Sequence, residues 1–357
     1  MDLDSLLAPI AGDVASGINL RNSEQYLSLY YAVKDARNLA RRQERLLIQG
    51  EAVESDPLIA WQKVISLSQE ILGTHSKDLE ICAWFIEALL RVKQVQGLRE
   101  GFFLASQLCE RYWETLYPLP DEEGLAIRVA AFAGLNGEDT EGTLIAPISN
   151  VLLAKSEQFG TFALWEYQQA KFINNIADPQ KKAARLADMD LDLKKIESAI
   201  EDTPIAFYKN LLVDLEGCLD EYKKLTEFLY LKCGHEAPPS SQIREALQNY
   251  LTLVKFLSRD RLGSDSGLPM ENVSTSTQGS VIQINRIQAR EDALNSLMEI
   301  ANFFLINEPH SPLSYLIQKV VRWGKMPLPE LLSELISDER IRNETFTLAG
   351  IPEHQKE

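Results

Sequence analysis

The sequence predicts an all-α protein, and three observations carry that expectation. Apolar residues recur three and four positions apart along most of the chain, the period of a helix with one buried face. The periodic stretches open on Asp, Ser or Pro and close on Gly or just before Pro, which is how helices start and stop. Only 143–145 has the text of a short β segment, and it reads as an extended stretch rather than part of a sheet.

Taken in order, the first strong helix covers 57–73, with Leu58, Trp61, Val64, Ile65, Leu67, Ile71 and Leu72 on its apolar side. Asp56 and Pro57 suit its start, and Gly73 suits its end. A second helix covers 77–95, capped by Ser76, and a third covers 98–116 and stops before Pro118. Short links between helices of this length imply antiparallel neighbours. After the loop 118–124, a helix carries Ile127, Val129, Ala130, Phe132 and Leu135 up to Asn136 and Gly137. Further helices are expected over 179–202, 204–233 and 241–261.

Composition then changes. Residues 263–280 are rich in Gly, Ser and Thr and have no helical period, so they read as a flexible linker. Helical text resumes, with helices at 312–323 and from Pro329 onward. The expected organisation is therefore a multi-helix N-terminal domain at 1–170, a helical middle region at 171–262, the linker, and a small helical C-terminal domain at 281–357. A unit that small buries only about 60% of its extended-chain surface and is marginal alone. Oligomerisation is a common remedy. Tyr315, Leu316 and Trp323 are the candidate oligomer contacts, since Trp and Tyr often anchor interfaces.

Charge and cysteine usage exclude several classes. The net charge is −16, with 52 acidic against 36 basic residues, which disfavours nucleic acid and anionic membranes. The basic cluster Arg41-Arg42 with Glu44-Arg45 reads as a solvated helix face. Cys82, Cys109, Cys218 and Cys233 lie far apart in apolar contexts and read as reduced, buried thiols; His235 near Cys233 does not complete a zinc site. Asp121-Glu122-Glu123 and Glu138-Asp139 lack the spacing of a calcium loop. The first residues carry acids where a signal peptide needs Lys or Arg, and no apolar run reaches the about 18 residues of a membrane span, so the expected location is the cytoplasm. With no phosphate-binding glycine loop and no nucleophile elbow, the reading is of no enzyme, no cofactor, no metal and no small-molecule substrate. Glu308, Pro309, His310 and Ser311 are neighbours in sequence, whereas a triad is assembled in space; Pro309, His310, Ser311 and Pro312 read as a connector and part of an oligomer interface.

One set of residues does more. Ser76-Lys77-Asp78-Leu79, Ala83-Trp84, Glu87-Ala88-Leu89-Leu90-Arg91 and Gly97-Leu98 resemble the central motif of the N-terminal domain of the TssA (ImpA-type) family of type VI secretion subunits. Glu110-Arg111-Tyr112-Trp113, Leu135-Asn136-Gly137 and Gly142-Thr143-Leu144-Ile145 continue the likeness over about residues 3–170. Arg290-Glu291-Asp292-Ala293-Leu294, Glu308-Pro309-His310-Ser311-Pro312 and Val321-Arg322-Trp323-Gly324 extend it to the C-terminal part. The resemblance implies a cytoplasmic Gram-negative bacterial subunit that forms homo-oligomeric rings through its C-terminal region. Such rings engage the baseplate, the sheath and tube, or the membrane complex. It also makes the turn Ser76, Lys77 and Asp78 a candidate partner-binding element. The alternative is a helical adaptor or scaffold unrelated to secretion.

Overall fold

One long helix organises the N-terminal part of the chain, and its sequence explains why. α4, Leu79–Tyr112, has apolar residues on every side, so no narrow stripe marks it, and a helix of that kind must be enclosed. It is enclosed by α2 (Leu27–Ile48) and α3 (Pro57–Glu70) on one flank and by a later helix on the other. The computed structural model describes residues 2–262 except 123, 139, 177, 179, 181, 183, 184, 186–188 and 190, and beyond them residues 294, 297, 298, 300, 301, 313–326 and 328–335. Two compact units result, Met1–Pro269 and Met270–Glu357.

In the first unit a short α1 (Leu3–Leu7) precedes α2. Asp56 accepts a hydrogen bond from the Leu58 amide and Pro57 occupies the first turn of α3, as the sequence indicates. Gly73 does not end the helical path; it continues as a π turn over Ile71–His75. The helix after it begins later than expected. Ser76 is extended, and the cap is Asp78, whose carboxylate accepts from the Glu80 and Ile81 amides.

α4 also runs through the place where two helices and a link are expected. The break inside it is one residue, Gln94, at φ 59°. Gly97 is therefore no stop signal. A Cβ there would collide with the carbonyl oxygen of Leu89, so the glycine permits the chain to close on itself after Gln94. Gly97→Ala is expected to lower stability by about 2 kcal/mol, the cost of overpacking, and chemical denaturation measures it.

α5 (Ala126–Asn136) and α6 (Ile145–Ser149) lead to the hairpin of β1 (Leu152–Ser156) and β2 (Gly160–Ala163), antiparallel with Ser156 opposite Gly160. The β text expected at 143–145 is not a strand. The Thr143 amide instead bonds the Gly134 carbonyl, and Ile145 opens α6. α7 (Leu164–Asn174) follows the hairpin and crosses the boundary expected at 170, so the packing has no seam there.

α8 (Leu193–Asp202), α9 (Ile205–Cys233) and α10 (Ser241–Leu262) complete the unit. The helix expected over 179–202 is thus described only from Leu193, and much of 179–190 lies outside the described residues. α9 lies along α4, with Phe102 and Tyr222 ring centroids 4.7 Å apart and Trp113 and Phe228 5.5 Å apart. The Asn136 side chain accepts from the Ile243 amide at the start of α10, and Glu236 accepts from the Leu125 amide just before α5. A single core extends from Leu6 to Val254. All four cysteines are free and buried within it.

The second unit contains α11 (Leu313–Lys325) and α12 (Leu328–Leu335). Gly324 faces Leu294, where a Cβ would approach Cδ2 to 2.7 Å. The expected linker at 263–280 lies outside the described residues.

Candidate interaction surfaces

Between α2 and α4 the first unit holds a row of charged and aromatic side chains that repeats every two helical turns. Tyr30, Arg37 and Glu44 are seven apart on α2; Glu80 and Glu87 are seven apart on α4, with Arg91 one turn further. Arg21 pairs with Asp78 at 2.6 Å and with Glu80, which also accepts from the Tyr30 hydroxyl at 3.0 Å. Burial first, then the Glu80 charge, pushes the Tyr30 hydroxyl up to about 12.

In the middle of the row, Arg37 holds Glu87 through both guanidinium positions, at 2.6 and 2.9 Å, and Thr143 donates to the same carboxylate. Burial alone would raise the Glu87 carboxyl. The bonds and charge of Arg37, with Thr143 and Arg91, outweigh it and hold the group below the ordinary carboxylate value. At the end of the row Glu44 accepts from Arg91 at 2.6 Å and from the Trp61 indole at 2.7 Å, and the Arg91 guanidinium lies 4.2 Å from the Trp61 ring centroid. Sequence reasoning placed Glu44 on a solvated face and missed this row. The signal available was Glu87 and Arg91 one turn apart in the otherwise apolar run 81–92 of α4.

The turn Ser76, Lys77 and Asp78 has no exposed side chain. It does not offer these side chains to a partner, and Lys77 is not solvated. Its backbone joins segments far apart in sequence: the Lys77 amide bonds the Ser16 carbonyl, and the Tyr117 amide bonds the Lys77 carbonyl. Its ammonium donates to the carbonyls of Leu6 and Leu72 at 2.7 and 2.6 Å and sits 5.8 Å from the Tyr112 ring. Burial pushes it down to about 8. The reason for the correction is reach: a lysine stem is long enough to bring its charge to one carbonyl in α1 and one in the π turn, and there it fastens the N-terminal segment.

Trp61, Trp84 and Trp113 are core residues, whereas Trp165 is 39% exposed. In the second unit α11 presents two apolar faces. Ser314 and Val321 are buried, while Tyr315, Leu316 and Val320 on the opposite side are 61, 56 and 49% exposed. Trp323 shares that outer side, with Lys319 4.8 Å from its ring and an indole nitrogen that is buried without a partner among the described residues. Pro309, His310, Ser311 and Pro312 lie outside the described residues.

Residues 7–137 match the family described as ImpA, N-terminal, type VI secretion system. The type VI secretion system component TssA1 of Pseudomonas aeruginosa is 23% identical over 364 residues, spanning 97% of this chain and 98% of that protein. The N-terminal domain of the TssA component from Burkholderia cenocepacia, which includes the conserved ImpA region, superposes with a TM-score of 0.61 at 26% identity, over 73% of this chain and 94% of that one. Residues 7–137 thus carry the ImpA N-terminal region, and the chain as a whole is similar to TssA (ImpA-type) subunits. Its predominantly helical architecture is that of the TssA N-terminal domain. Both the row between α2 and α4 and the buried turn lie within the matched segment 7–137 or on its partner side chains, and both serve its internal architecture. No helix among the described residues is long and apolar enough to cross a membrane.

Proposed function

We propose that this chain is a non-enzymatic, TssA-type assembly subunit of the type VI secretion system that closes a homo-oligomeric ring through its C-terminal unit and engages baseplate or sheath and tube components on the cytoplasmic side. The observation that supports this reading is the second apolar face of α11. A helix with apolar residues on both sides needs cover on both sides. Inside its own unit α11 is covered on one side only, that of Ser314, Val321 and Gly324, which leaves Tyr315, Leu316 and Val320 exposed. Trp323 shares that outer side and, among the described residues, has a buried indole donor without a partner, the kind of group a neighbouring copy can satisfy. Joining copies in a ring raises avidity for an apparatus component by ~10²–10⁴ over a single site, without new chemistry.

The test uses the full chain. Light scattering of the wild type is expected to give a closed oligomer. Leu316→Asp with Val320→Asp is expected to give monomers whose helical circular dichroism is unchanged. A wild type that stays monomeric at high concentration, or a double variant that keeps the oligomer, removes the ring.

A further inference from the structure

On α2, Arg37, Arg41 and Arg45 stand one turn apart, about 6 Å per step along the axis, and Arg91 of α4 adds a fourth guanidinium to the group. Two of the four are neutralised internally, Arg37 by Glu87 and Arg91 by Glu44, both at 2.6 Å. Arg41 is different. It is half-buried, and among the described residues no carboxylate lies within ion-pair distance of it. Burial, and after it the positive charges of Arg37, Arg91 and Arg45, depress its guanidinium, despite the more distant help of Glu87.

A partly desolvated cation beside three others destabilises the free protein, and an apolar side chain of similar length would fill the same space without that cost. The arrangement gains only when an anion arrives from outside. A guanidinium fork takes a carboxylate or a phosphate. The net charge of −16 opposes a nucleic acid or an anionic bilayer, each of which brings a broad field of negative charge, whereas a short segment carries few charges. The helical spacing of the arginines matches acidic residues four apart on another helix. Ile48, two turns beyond Arg41 on the same side of α2, is 84% exposed and supplies an apolar contact at the end of the row.

We propose that the face of α2 bearing Arg37, Arg41, Arg45 and Ile48 docks an acidic amphipathic helix of a partner protein, with Arg41 receiving its carboxylate. This surface lies in the first unit and is independent of ring closure through α11.

Two buried indoles report on it. Arg91 lies 4.2 Å from the Trp61 ring and Arg37 5.5 Å from the Trp84 ring, so a carboxylate that draws on these guanidinium groups alters the fluorescence of the full chain. The probe is a labelled helical peptide with glutamates four apart and leucines on the adjoining face, followed by tryptophan fluorescence and peptide anisotropy. Saturable binding is expected, weakened about tenfold or more in Arg41→Gln, the scale of one charged hydrogen bond. Arg42→Gln, which removes an exposed charge on the neighbouring face, is expected to change it less than about twofold. Arg41→Gln is also expected to unfold at the wild-type temperature or above it, and to leave the light-scattering mass unchanged. Equal losses in Arg41→Gln and Arg42→Gln overturn the proposal, as does a lowered unfolding temperature in Arg41→Gln, which makes Arg41 an internal strut. Absence of saturable peptide binding, full displacement by inorganic phosphate, or Arg41-dependent binding to phosphatidylserine vesicles in place of the peptide overturns it too.

Discussion

Glu87→Leu is expected to remove about 3–5 kcal/mol of folding stability, the scale for breaking a buried ion pair at one end. Glu87 is fully buried, and its two oxygens receive Arg37 and Thr143. Without it the Arg37 guanidinium stays between α2 and α4 with no carboxylate, beside Arg41 and Arg91. Urea unfolding measures the effect. A drop of less than about 1 kcal/mol would place the pair with ordinary surface salt bridges and refute its enclosed character. Arg37→Leu combined with Glu87→Leu is expected to recover much of the loss, since a well-packed apolar pair costs no desolvation. The pH dependence has a definite sign. The folded carboxyl lies below its unfolded value, so its contribution is complete above the ordinary carboxylate range and fades as pH falls through the folded value. The gap between wild type and Glu87→Gln should therefore close in acid.

Lys77→Met is expected to show a pH dependence of the same sign in a different window, alkaline rather than acid. The methionine fills the stem's space but leaves the Leu6 and Leu72 carbonyls without their donor, at about 1–3 kcal/mol each. At neutral pH part of that loss is offset, because the wild type carries an ammonium out of water. The folded value of about 8 lies below the ordinary 10.5. Between those values the unfolded chain binds more protons than the folded one, so wild-type stability rises with pH relative to the variant. The advantage of wild type over Lys77→Met is expected to widen by about 2 kcal/mol between roughly pH 7 and pH 10. The buried cysteine thiols, raised by burial, destabilise both proteins in alkali and cancel in the comparison. A gap that stays constant across this window defeats the assignment of Lys77 as a buried, titrating clamp.

Much of the helical architecture could be read from the chain because its signals are local. Asp56 and Pro57 start α3, and Pro204 precedes α9, for reasons contained in a few residues. α2 escaped notice because its buried face is built largely of Ala36, Ala40 and Gln43, which weakens the apolar period. The β hairpin was hidden because β1 follows directly on helical text and has only four or five residues per strand to reveal itself. Lys77 and Glu87 could not be assigned from sequence for a different reason. Their partners, Leu6 and Arg37, lie 71 and 50 residues away, and only the fold turns a charge usually found in solvent into an interior one. Tyr315, Leu316 and Trp323, by contrast, are expected as oligomer contacts from the small size of their unit; Tyr315 and Leu316 are exposed in the fold, and their contact with a second copy is what light scattering tests.

Two hydrogen bonds described above have a wider reach than their size suggests. Asn136 and Ile243 are 107 residues apart, and Leu125 and Glu236 are 111 apart. Each ties one end of α5 to a segment more than a hundred residues later, so fraying of α5 breaks a bond at or just before the start of α10. The recognised family segment ends at residue 137, but mechanically it ends much later. A displacement of α5 is therefore shared with the start of α10, across the point where the recognised segment stops.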